Sequence, residues 1–85
     1  MLIKSRNLIG LAVITRLGMR LGKVSGFEMD AESHLIRAYE VKRPLLGGTL
    51  LVPQQSVISI TKEKMVVEDG VVPVGTPALA SMPNA

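Results

Sequence analysis

The sequence contains no cysteine and no tryptophan, and its only aromatic rings are Phe27 and Tyr39. Without thiols there can be no disulfide framework, thiolate metal site or cysteine nucleophile. Two rings are too few for the aromatic platforms on which single-stranded bases stack. Histidine occurs once, at His34, so a metal centre or a charge-relay system would have to draw nearly all of its groups from elsewhere. No window reaches the ~20 apolar residues that a membrane-crossing helix needs. Ten Lys and Arg against seven Asp and Glu give a formal charge of +3, but the cations are scattered rather than gathered in a run. A mild excess of this kind favours solubility and suits an acidic partner without specifying nucleic acid.

What the chain has in quantity is aliphatic side chains. Hydrophobic residues make up 47% of its 85 residues, enough for one small domain with a core of Leu, Ile, Val, Met and Ala. The N-terminal segment MLIKSRNLIGLAVITRLG superficially resembles an export leader. Arg6, Asn7 and Arg16 interrupt or bound its apolar run, however, and no small-residue cleavage site follows. It reads instead as a lead-in to a core strand, and the expected setting is the cytoplasm.

Strand signals recur at close intervals. Leu11–Thr15 is rich in β-branched residues, and Gly18 supplies the turn after it. A second strand spans about Arg20 to Met29, where the alternation of apolar and polar residues breaks between Gly22 and Gly26, as a bulge or sharp bend would require. A connection at Asp30–Ser33 leads to a third strand from His34 to Lys42, closed by Arg43-Pro44. After the glycine-hinged loop LLGGT (45 to 49), Leu50–Val52 is a short strand stopped by Pro53. Gln54–Ser56 fits a single helical or 3₁₀ turn. Val57–Ile60 and Met65–Glu68 complete a hairpin. No stretch sustains a helical period. The expected fold is therefore all-β, a small antiparallel barrel or roll of five to six short strands. It occupies residues 1–69. Residues 70–85 hold three of the five prolines and no charge after Asp69-Gly70, and read as an apolar tail whose Val71 to Val74 pack on the barrel or on a neighbouring subunit.

Chemistry-bearing groups are few. Asp30, Glu32 and His34 alternate, which on an extended strand would aim them at one face and one cation. They fall in a turn, where that convergence is lost and Asp30 is better placed to cap the loop with its side-chain oxygen. No serine sits in a G-x-S-x-G elbow, and the glycines of LLGGT lack the Lys-Ser/Thr of a phosphate loop. No catalytic, metal or cofactor site is expected. Arg37, Tyr39, Lys42 and Arg43, close together on one strand, are the candidate partner-binding residues.

The stretches RLGKVSGFEMDAESHLIRAYEV and LLGGTLLVPQQSVISITKEKMVV together resemble the PRC-barrel domain family over roughly residues 7 to 68. In that family a G-x-V stretch enters a strand, an acidic hairpin follows, and a V-P segment precedes a V-x-S-I strand and a final valine-rich strand. The resemblance implies a compact β-barrel of the kind found in the photosynthetic reaction-centre H subunit, in a ribosome maturation factor and in small stand-alone proteins. It implies an adaptor rather than an enzyme, and structural roles for Gly22, Val24, Gly47, Gly48, Val52, Pro53, Val57 and Ile60. The chain is expected to depart from those relatives in having neither the membrane helix of the H subunit nor the N-terminal domain of the ribosome factor. The expectation is a non-enzymatic protein-binding module that self-associates, with a protein partner, no cofactor and no membrane span. The alternative is an RNA- or ribosome-associated factor.

Overall fold

The structure, a computed structural model, describes residues 1–44 and 47–71. A one-turn helix, α1 (Ser5–Leu8), precedes six strands: β1 (Ala12–Thr15), β2 (Arg20–Met29), β3 (Ile36–Lys42), β4 (Thr49–Pro53), β5 (Val57–Ile60) and β6 (Lys64–Val67). A 3₁₀ turn, Gln54–Ser56, joins β4 to β5. All six strands form one sheet in the order β4-β3-β2-β1-β6-β5.

Two features correct the expectation of an antiparallel barrel. The sheet is mixed, because β6 runs parallel to β1, and it is not closed, because β4 and β5 lie at its two ends. The first follows from counting reversals. The β1–β2, β2–β3, β3–β4 and β5–β6 pairs are antiparallel, so four hairpin reversals bring β6 back to the sense of β1 only if the 3₁₀ turn bends the chain without reversing it. The second follows from pairing. In a flat sheet five inter-strand steps would set β4 and β5 about 24 Å apart. Three linking residues allow at most roughly 15 Å between Pro53 and Val57. The sheet therefore curls strongly, bringing its ends together at one corner without a ladder between them.

Curling gives the sheet a concave face, and the core fills it. Val13, Val24, Val41, Leu50, Val52, Met65 and Val67 are fully buried, while Leu8, Leu11 and Ile3 pack at the N-terminal end of the same cluster. Full burial of a Val or Leu side chain contributes about 1.5–3 kcal/mol. Helix α1 is a single turn, too short to stand without that packing; it serves to deliver Leu8. Val71, the last described residue, also packs against the cluster; residues 72–85 of the expected tail, and Leu45 and Leu46 of LLGGT, lie outside the described residues.

The break in alternation along β2 resolves into bulges. Leu21 is extra between the Val13–Gly22 and Ile14–Arg20 pairs, and Ser25 is extra between Val24–Val41 and Gly26–Glu40. The Ser25 bulge restores Phe27 to the face that carries Val24. Gly22 has φ of +149°, and a Cβ there would collide with the Lys42 carbonyl, so glycine is what lets β2 approach β3 this closely.

Candidate functional site

The β2–β3 hairpin extends beyond the enclosed part of the sheet, and the core runs out along it. On the concave side Val24 pairs with Val41, then Phe27 with Tyr39, then Met29 with Ile36. Exposure rises along β2 from 2% at Val24 to 37% at Phe27 and 52% at Met29. Leu35, in the turn, is also exposed. The result is an apolar strip, continuous with the core at one end and open to water at the other.

The turn itself is built on Asp30. Its Oδ1 accepts the N–H groups of Glu32 at 2.8 Å and Ser33 at 3.0 Å, and its Oδ2 lies 3.3 Å from the Arg37 guanidinium. The Ser33 and Glu32 N–H groups, followed by Arg37, hold the carboxyl below its ordinary value of 3.8. His34 takes a left-handed conformation, φ +65°, and its N–H bonds the Asp30 carbonyl at 2.8 Å. Asp30 is thus engaged as a turn cap. Among the described residues no three His, Asp or Glu side chains come together as a metal site would require.

The four residues singled out on the third strand do not form one surface. Arg37 is the extra residue of a further bulge, between the Glu28–Ala38 and Met29–Ile36 pairs, and is tied to Asp30. Tyr39 is buried in the core beside Phe27 and Val52. Arg43 is half-buried beyond the strand end, its backbone bonded to Gly47 and Gly48. Nor is β3 an edge, since it lies between β2 and β4.

Lys42 instead joins a group invisible along the chain. Reading across the convex face at one level of the ladder, Lys64 pairs with Ala12, Ala12 with Lys23, Lys23 with Lys42, and Lys42 with Thr49. Three exposed lysines on β6, β2 and β3 therefore stand in a transverse row over Ala12, within about 15 Å at strand spacing. Arg20, paired with Ile14, lies one level away. Glu28 and Glu40 stand on the other side of the row. The ion pairs among the described residues are Arg16–Glu68 and Arg37–Asp30, so none of the three ammonium groups is neutralised by a carboxylate there. No helix among the described residues is long and apolar enough to cross a membrane.

Comparison with known proteins agrees with this architecture. The family model for the PRC-barrel domain matches residues 1–71. No curated protein matches the sequence. A solved structure from Pseudomonas aeruginosa, described as a 16S ribosomal RNA processing protein, RimM, is similar with a TM-score of 0.61 and 24% identity. The similarity covers 78% of this chain and 43% of that one, so this chain corresponds to less than half of that protein. At such identity the likeness concerns the fold.

Proposed function

Since the chain belongs to the PRC-barrel domain family, we propose that it acts without catalysis as a protein-binding adaptor that also associates with itself. The observation that carries this reading is the open apolar strip of Phe27 and Met29, 37% and 52% exposed, which continues the core outward from Val24 along the β2–β3 pair. Apolar surface left contiguous in water is the usual mark of an interaction site, and a patch on a two-fold axis would cover its own copy. Sedimentation is expected to find a dimer at micromolar concentration, and Phe27→Ser with Met29→Ser to return it to monomer without unfolding. A wild-type monomer at high micromolar concentration would end the self-association reading.

A second reading, an RNA- or ribosome-associated factor, has its own support in the unpaired lysine row and in the likeness to a structure described as an rRNA-processing protein. Binding through phosphates falls steeply with salt as counterions are released. Recovery of ribosomes or RNA with the tagged chain at 50 mM salt and its loss at several times that concentration is the expected outcome; recovery indifferent to salt would speak against phosphate contact.

A further inference from the structure

We infer that Lys23, Lys42 and Lys64 form a binding row for the sugar-phosphate backbone of RNA, read without regard to base sequence. The inference rests on the RNA-associated reading above and gives it a site. Three observations converge on it. The first is register: residues 19 to 41 positions apart in the chain are brought to one level of one sheet face, where flexible stems can follow a line of phosphates. The second is the liability the row represents. Lys23 and Lys42 are directly opposed in an antiparallel pair, an arrangement that repels, and among the described residues no carboxylate pairs with either. Nothing in the packing of the fold requires three cations there.

The third concerns what the row lacks. Both aromatic rings, Phe27 and Tyr39, lie on the concave side, so bases approaching the row find no ring to stack on. At the same level Ala12 lies within the row and Thr49 beside it; neither offers an anchor of the kind that dominates protein interfaces, where lysine is also depleted. Lysine as a compact point charge suits phosphate. A polyanionic backbone fits these features better than a folded protein surface does.

The test is titration of the full chain with two 12-nucleotide single-stranded RNAs, one oligouridine and one of mixed sequence, at several salt concentrations. Three phosphates neutralised on a single strand give a salt slope of about −2, a loss of roughly 15–20-fold between 50 and 200 mM. Lys42→Gln is expected to weaken both RNAs alike, on the order of fivefold at about 0.1 M salt, and to reduce the slope by about 0.7. The triple glutamine variant is expected to lose on the order of a hundredfold. Because Lys42→Gln removes a repulsion, its thermal midpoint should equal or exceed that of the wild type, which separates lost binding from lost folding. Wild-type binding that the triple variant retains in affinity and slope would overturn the row while leaving the RNA reading in place. Failure of the wild type to bind either oligonucleotide or 16S ribosomal RNA at 50 mM salt would overturn both, and tighter binding to polyglutamate than to RNA would overturn the choice of occupant.

Discussion

At Gly22 a single hydrogen atom faces the backbone of the next strand. A Cβ would meet the Lys42 carbonyl oxygen and carbon and the Val41 side chain, at a φ that L-residues rarely adopt. Because the obstruction is backbone, it cannot swing away. Gly22→Ala is expected to cost roughly 2–4 kcal/mol, lowering the melting midpoint by roughly 10–25 °C for a domain of this size. Gly18 is also left-handed, at +94°, but has open space around it, so Gly18→Ala should cost only about 1–2 kcal/mol. A thermal melt showing equal effects at the two positions would refute the close approach. Asp30 supplies a pH-dependent counterpart. Its folded-state pKa is depressed, by the N–H groups of Ser33 and Glu32 first and Arg37 after them. The turn's stabilisation is therefore complete above the ordinary carboxyl value and is lost as pH falls through the lower folded value. Amide exchange at Glu32 and Ser33 is expected to quicken in that acidic window in the wild type. In Asp30→Asn, which keeps an acceptor oxygen but no charge, no such step is expected.

Among the elements, β2 shows how far a sequence can be read and where reading stops. Its span from Arg20 to Met29 and the break in its alternation between Gly22 and Gly26 were legible, because glycine in a strand is a local signal. So was the 3₁₀ turn after Pro53. The bulge itself depends on what lies opposite: Ser25 is extra because Val24 and Gly26 face the adjacent residues Val41 and Glu40, and its hydroxyl donates to the Glu40 carbonyl at 3.2 Å. The placement of Arg37, Tyr39, Lys42 and Arg43 was hidden for the same reason. A bulge at Arg37 and burial at Tyr39 are set by neighbours on other strands, as is the row joining Lys23, Lys42 and Lys64. Deleting Ser25 tests the element directly. With the extra residue gone, Val24, Gly26 and Phe27 would face Val41, Glu40 and Tyr39 in a regular ladder, so the register should be kept while the local bend is lost. The expected readout is retention of the Phe27–Tyr39 ring contacts by NMR; their loss would show that Ser25 is not the extra residue of this pairing.

For the whole molecule, the decisive contact is the parallel pairing of β1 with β6, which carries the β5–β6 hairpin back to the first strand. Strand composition did not disclose it. Local turn signals predict reversals, whereas the parallel sense comes from a corner that bends without reversing, a property of the curled sheet as a whole. Once made, this pairing completes the concave core, since β6 contributes Met65 and Val67, both fully buried, while its other neighbour, β5, exposes Ile58. If the β1–β6 seam closes the core, truncation at Met65 should be felt throughout the domain. Met65→Ala is expected to cost about 2–5 kcal/mol, a large share of the roughly 5–15 kcal/mol that holds a small domain together. Ile58→Ala, on the outermost strand and 46% exposed, should stay within about 0.5 kcal/mol. Urea denaturation of the two variants distinguishes them. Comparable shifts would mean that β5 and β6 stabilise the sheet equally and that the core is not closed at this seam. A large shift confined to Met65, with a single cooperative transition, would mean that the hairpin and the four-stranded meander fold as one unit.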